Sequence, residues 1–322
     1  MMDLDKLQND KMLGVGCSTF GGSTAPQASR NAMARAYDQG LVYFDVARSY
    51  GYGQAEALVG QFTQDKRSKV IIASKCGIVP PRIPLRAFTL WGLRHLRKAV
   101  PTSRQALTSA ANHTLKRQAL TPQFIENSLH TSLRELKTEY IDIFLLHESH
   151  HTEYSRDEVR LVLEKAKEQG KIRTWGATVA DRQCLQQQLR STAPLEAMQF
   201  PFGLDTTYNE VLESGTFIKI VYSVLSYYKG LPPTDAPLIL TKLKAEFPKL
   251  EFIKTLTELC LYLASAQLQA GILLSSMTTP KNIDRNVLLF RRSLEASAAE
   301  VHTLKAYLAT WAGVAPVLAT EG

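Results

Sequence analysis

Four side chains that can hold or pass a proton stand at or just beyond the ends of apolar runs: Asp45, Tyr50, Lys75 and His147. Asp45 closes the run from Leu41 to Phe44, Lys75 closes Val70 to Ser74, and His147 closes Tyr140 to Leu146. Each run has the composition of a buried parallel strand. Tyr50 lies one loop beyond Asp45, ahead of Gly51 and Gly53, which break the chain before a helical pattern resumes at Gln54 to Val59. A buried aspartate beside a lysine keeps the ammonium charged, and a cation near a phenol lowers its pKa from about 10 towards the working range. Such a phenol is a general acid, able to protonate a carbonyl oxygen as negative charge develops on it. Taken alone, Tyr43 to Gly60 also reads as a plain βα unit, with Asp45 as an N-cap and Tyr50 as a half-exposed loop aromatic. The other strand ends decide between the two.

The elements that carry these residues alternate along the whole chain. Strands are expected at Met12 to Cys17, Leu41 to Asp45, Val70 to Ser74, Tyr140 to Leu146, Ile172 to Val179, Leu195 to Phe200, Phe217 to Leu225 and Ala270 to Ser275. Helices are expected at Gln27 to Gln39, from Gln54, from Pro122, at Asp157 to Gln169, Asp181 to Arg190, weakly between the sixth and seventh strands, and at Phe252 to Ala266 and Pro280 to Leu294. Gly230 to Pro248, rich in Pro and Lys, reads as a long loop, and Ser297 to Leu308 as an outer helix. Eight strand-then-helix units without a central break in composition predict a (β/α)8 TIM barrel, an α/β fold, as one domain over residues 1–322. In that fold the C-terminal strand ends hold the chemistry. That is where Asp45, Lys75 and His147 fall.

Charge is distributed unevenly. The net +8 comes entirely from the stretch between Pro80 and Pro122, which carries Arg82, Arg86, Arg94, Arg97, Lys98, Arg104, Lys116 and Arg117 and no acidic residue; elsewhere 30 basic residues balance 30 acidic ones. The 80–120 segment is therefore read as a basic insertion after strand three. One reading is a solvated excursion with a helix from Leu90 to Val100. The other is a lid gripping an anionic substrate or partner through Arg94, Arg97 or Lys98, in which case deleting residues 84–116 raises KM for an anionic carbonyl more than for a neutral one. Phe88 and Trp91 are the aromatics interleaved with these charges, too few to suggest a nucleic-acid surface. The four scattered cysteines (17, 76, 184, 260) form no CxxC pair. With no apolar leader in MMDLDKLQND and no uninterrupted apolar span, the expectation is a cytoplasmic protein without a membrane segment.

Taken together, Asp45, Tyr50, Lys75 and His147 resemble the Asp-Tyr-Lys-His tetrad of the aldo-keto reductases. The D-x-A-x-x-Y-G-x-G-x-A-E-x-x-x-G pattern of Asp45 to Gly60 is similar to that family's signature. The resemblance runs over nearly the whole chain apart from residues 80–120. It implies an NAD(P)-dependent oxidoreductase that moves a hydride between nicotinamide C4 and a carbonyl or alcohol carbon (an aldehyde, ketone or sugar-like substrate), with Tyr50 exchanging the proton. Lys75 and Asp45 then tune Tyr50, and His147 orients the carbonyl. Gln199 matches the glutamine that holds the nicotinamide carboxamide, and Tyr222 the tyrosine on which the ring stacks. Consistent with a family that binds its cofactor without a Rossmann fold, no GxGxxG follows a strand; Gly14-Val15-Gly16 is too short.

The departures carry information. Where the family usually has G-x-S-N after strand five, the chain has Gly176-Ala177-Thr178-Val179, so Thr178 keeps a hydroxyl and Val179 loses an amide. At the adenosine end, Ser276 to Asn286 (SMTTPKNIDRN) keeps the motif's spacing, with Ser276, Thr278, Asn282 and Asn286 as cofactor contacts. Ser276 and Asn282 stand where NADP-preferring members often carry Lys and Arg. A 2′-phosphate needs cationic or multiple donors, so the expectation is weak NADP preference or use of NAD, with Lys281 and Arg285 as candidate substitutes. These losses also motivate an alternative: a regulatory or interaction protein that binds cofactor on the same barrel with little turnover.

One motif is set aside. His147-Glu148-Ser149-His150-His151 formally spells HExxH, but zinc chemistry needs both histidines one turn apart on a helix. Here the motif follows the strand IDIFLL and the next helix is expected only after Thr152, so no metal site is expected and His150 and His151 read as loop residues at the substrate mouth.

Overall fold

Strand side chains alternate between two environments, and in this chain the alternation puts one set into a barrel lumen and the other against surrounding helices. The computed structural model describes residues 4–80, 116–179, 182–190, 195–203, 206–214, 217–224 and 236–311. Its barrel strands are β1 (Lys11–Gly16), β2 (Tyr43–Asp45), β3 (Ile71–Cys76), β4 (Ile141–Leu146), β5 (Ile172–Thr178), β6 (Ala197–Pro201), β7 (Ile218–Tyr222) and β8 (Gly271–Ser275). They close in chain order into an eight-stranded barrel, each pair parallel, with β8 returning to β1 through Val15 opposite Ser275.

Helices follow the strands: α1 (Pro26–Asp38), α2 (Ala55–Thr63), α3 (Pro122–Leu136), α4 (Asp157–Glu168), α5 (Arg182–Leu189), α6 (Thr206–Glu213), α7 (Leu256–Gln267) and α8 (Pro280–Ser293). Three of them start on a threonine whose side chain accepts from the backbone N–H three residues on: Thr121 for α3, Thr255 for α7 and Thr279 for α8. The outer helix Ala298–Trp311 buries Leu304 and Leu308.

Two apolar layers result. The lumen is filled by Tyr43, Ile71, Ala73, Ile143, Leu145, Ala197, Ile218, Ile220, Ile272 and Leu274, joined by Leu7 from the one-turn helix Lys6–Asn9. The other strand faces pack outward on the helices in a larger cluster. This phase positions the site. Two residues beyond Tyr43, Ala73, Leu145, Ala197, Ile220 and Leu274 come Asp45, Lys75, His147, Gln199, Tyr222 and Ser276, in the same inward register at one end of the barrel.

The stretch from Gly230 to Pro248 differs from its reading as a loop. It contains a helix, Ala236–Glu246, followed by a 3-10 turn at Pro248–Leu250. Pro237 sits in the first turn, where a missing N–H costs nothing, and Ile239 and Leu243 bury one face at i, i+4 spacing. The chain after β4 also differs: a one-turn helix begins at His151, capped by the side chain of His150. Most of the basic segment, with Arg82, Arg86, Arg94, Arg97, Lys98 and Arg104 and the expected helix from Leu90 to Val100, lies outside the described residues. Its two roots are described: Ile78–Val79 and Lys116–Arg117 pair antiparallel, directly after β3. No described helix is long and apolar enough to cross a membrane.

Candidate active site

The site is built from the strand ends upward. Lys75, at 1% exposure, places its ammonium 2.5 Å from Asp45 Oδ2, 3.2 Å from the Val46 carbonyl and 3.3 Å from the Tyr50 hydroxyl. An ammonium has three donors, and here each has an acceptor. The second carboxylate oxygen of Asp45 accepts from Gln199 Nε2 at 3.1 Å, so the amide of Gln199 is tied to the base of the tetrad. Tyr50 is delivered by the turn after β2. Gly51 takes φ 57°, and a Cβ there would stand 1.8 Å from the Phe20 carbonyl, so only glycine lets this turn lie against the loop after β1.

His147 follows β4, with its N–H on the Cys76 carbonyl at 2.7 Å, and stands edge-on to the Tyr50 ring. Its Nδ1 is buried with no protein partner. Beyond it Glu148 adopts φ 50°, and its N–H donates to Thr178 Oγ1 at 2.6 Å, so Thr178 fixes the loop carrying His147.

Electrostatics corrects one expectation. Burial raises the Tyr50 hydroxyl above its ordinary pKa and outweighs the opposing pull of Lys75, so the phenol is raised where the nearby cation alone predicted lowering. The negative charge of Asp45 adds to the effect of burial. Burial alone would lower Lys75, but Asp45 and Tyr50 hold it above the usual lysine value, so it stays protonated at neutral pH. Burial, helped by the Lys75 charge, pushes His147 down to about 3, leaving a neutral imidazole. The site thus holds a protonated phenol, a charged ammonium and a neutral imidazole around one mouth.

The other candidates form a second group. Tyr222 donates its hydroxyl to the Val179 carbonyl at 3.1 Å, linking β7 to the end of β5. Past β8, Ser276 and Asn282 are exposed and Thr278 is half-buried. Asn286 donates to Ser275 Oγ at 3.0 Å, and Thr279 caps α8 through the Asn282 N–H. Of the two cations offered as phosphate partners, Lys281 is exposed on the first turn. Arg285 is instead held by both oxygens of Glu258, at 2.7 and 2.6 Å, and by the Phe252 carbonyl. Thr178, Gln199 and Tyr222 sit on β5, β6 and β7 and Ser276 directly follows β8, forming an arc that ends at the α8 N-terminus.

Sequence reasoning missed a third group behind Lys75. Glu56, 1% exposed on α2, accepts from Arg48 at 2.8 Å and from Ser74 at 2.7 Å, tying α2 to the Tyr50 loop and to the residue preceding Lys75. Its signal was a carboxylate at a buried helix position, matched by Ser74 on the outward phase of β3. As for HExxH, His147 follows a strand while His151 opens a separate helix. Among the described residues, no group of three or more His, Cys, Asp or Glu side chains is arranged to hold a metal ion.

Comparison with known proteins shows the family and the fold that the chain shares. An aldo-keto reductase of Bacillus subtilis, YhdN, is 27% identical over 188 residues, covering 58% of this chain and 47% of the relative. An NADH-specific methylglyoxal reductase of Escherichia coli is 28% identical over 187 residues, covering 55% and 51%. The matched stretch thus spans about half the length of these relatives. The glycerol dehydrogenase of Gluconobacter oxydans superposes with a TM-score of 0.68 at 20% identity, covering 96% of this chain and 94% of its own, which is a likeness of fold. The sequence pattern of the Aldo/keto reductase family matches residues 12–210, more than half of the chain, and with the closed barrel this makes the chain a member of the aldo/keto reductase family.

Proposed function

We propose that the chain is a nicotinamide-dependent carbonyl reductase in which Tyr50 donates the proton. The observation that carries this is the position of the Tyr50 hydroxyl: 3.3 Å from the buried Lys75 ammonium, with the neutral His147 ring edge-on beside it. The residues fit the cofactor class. The arc from Thr178 to the α8 N-terminus offers hydroxyl and amide groups along its length, an aromatic at Tyr222 and a helix N-terminus suited to an anion. Loops after the last strands of such barrels are a recurrent phosphate site.

When bound, the nicotinamide supplies the hydride. The protein's part is acid catalysis and orientation. A phenol kept protonated by burial holds its proton until negative charge develops on the substrate oxygen, and the Lys75 ammonium then stabilises the phenolate left behind. Asp45 keeps Lys75 charged, and the neutral His147 is suited to orient the carbonyl by hydrogen bonding. Small aldehydes and ketones are the proposed substrates, in line with the methylglyoxal reductase relative. Anionic ones join the panel because the basic segment is rooted directly after β3.

A second reading, a cofactor-binding regulatory protein with little turnover, is favoured by Val179 in place of a side-chain amide and by the engagement of Gln199 with Asp45. A screen of aldehydes, ketones and sugars coupled to NADH and NADPH oxidation separates the two. Turnover of a carbonyl supports the reductase. Quenching of cofactor fluorescence with no oxidation anywhere in the panel supports the binding protein.

A further inference from the structure

We propose that Glu258 sets the cofactor choice of this chain: by pairing with Arg285 at two points, it withholds a guanidinium from the adenosine end of the site and favours NAD over NADP. The inference rests on the nicotinamide reading above. Arg285 lies on α8 beside Asn282, at the i, i+3 spacing that puts two side chains on one helix face, and next to Asn286. The face therefore already has a residue suited to a 2′-phosphate, which planar, two-pronged guanidinium groups bind well.

That residue is committed elsewhere. Its Nε and Nη2 meet the two Glu258 oxygens at 2.7 and 2.6 Å, and Nη2 also meets the Phe252 carbonyl. Glu258 is fixed in turn, accepting from the Lys254 N–H at 2.6 Å while its own N–H donates to the cap residue Thr255. A 2′-phosphate at this face would have to break a charge-assisted pair and would meet the Glu258 carboxylate at close range. The ribose 2′-hydroxyl of NAD carries no charge and meets neither cost.

Replacing Glu258 by Gln keeps the side-chain length and an oxygen to accept the Lys254 N–H, so the start of α7 is retained while the charge that holds Arg285 is removed. Dissociation constants for NAD+ and NADP+ are measured by quenching of intrinsic fluorescence on the full chain, for wild type, Glu258→Gln and Arg285→Ala. The expected result is that Glu258→Gln tightens NADP+ by about tenfold or more and moves NAD+ by less than about threefold. Arg285→Ala should not tighten NADP+, because it leaves the Glu258 carboxylate uncompensated and supplies no guanidinium. An unchanged NADP+ to NAD+ ratio in Glu258→Gln overturns the assignment, as does a tenfold gain of NADP+ binding in Arg285→Ala. If none of the three proteins binds either nucleotide, the cofactor reading falls and this one with it. Binding with an unmoved ratio overturns the role of Glu258 alone.

Discussion

The rings of Tyr50 and His147 stand edge to face, with centroids 6.0 Å apart and planes at 83°, bringing a protonated phenol and a neutral imidazole to one mouth. This has a consequence for stability. The folded-state pKa of His147 is pushed down to about 3, against roughly 6.5 for a solvated histidine. Between those values the unfolded chain takes up a proton that the folded chain refuses, so stability falls as pH drops from about 6.5 towards 3, at no more than about 1.4 kcal/mol per pH unit. Urea titrations at pH 7 and pH 5 check this: His147→Asn should lose less stability over that interval than wild type, and an equal loss counts against the burial argument.

Lys75 and Asp45 form a buried pair, so removing one partner strands the other. Lys75→Met is expected to cost about 3–5 kcal/mol, and Asp45→Asn combined with Lys75→Met to recover much of it. Denaturant midpoints for the two proteins test this. Activity should not return in the double variant, since no ammonium is left beside Tyr50.

Glu56 is expected to act as a positioning residue through Arg48 and Ser74. Glu56→Gln should lower kcat by about tenfold or more while leaving the cofactor dissociation constant within about threefold, because it loosens the Tyr50 loop without touching the α8 end. A parallel loss of cofactor affinity would indicate a general structural role.

Gly51→Ala places a methyl group 1.8 Å from the Phe20 carbonyl at a left-handed backbone position. Stability should drop by at least about 2 kcal/mol, read as a lower urea midpoint, and turnover should fall because Tyr50 precedes this turn directly. An unchanged midpoint would mean that the turn adapts.

Much of the site was legible because a barrel strand has a strict two-residue period. Once Tyr43, Ala73 and Leu145 are inward, Asp45, Lys75 and His147 must be too, and the same phase brings Gln199, Tyr222 and Ser276 to the same end. The Ala236–Glu246 helix was missed because Pro237 and the lysines suggested a loop, while its two buried positions, Ile239 and Leu243, are a short signal. The direction of the Tyr50 shift was missed for a different reason. Sequence supplies the cation, whereas the burial that outweighs it and the aspartate charge that adds to that burial are properties of the closed barrel. The Glu56 and Glu258 pairs join elements 8 and 27 residues apart in the chain to their arginines, and no spacing rule encodes such contacts.

The proton donor is tested most directly by Tyr50→Phe, which removes one oxygen and keeps the ring packed against His147. For a carbonyl substrate found in the coupled screen, kcat/KM should fall by about 10²–10⁴-fold, with the cofactor dissociation constant within about threefold of wild type. Turnover within tenfold of wild type, with cofactor still bound, would contradict the assignment of the proton to Tyr50.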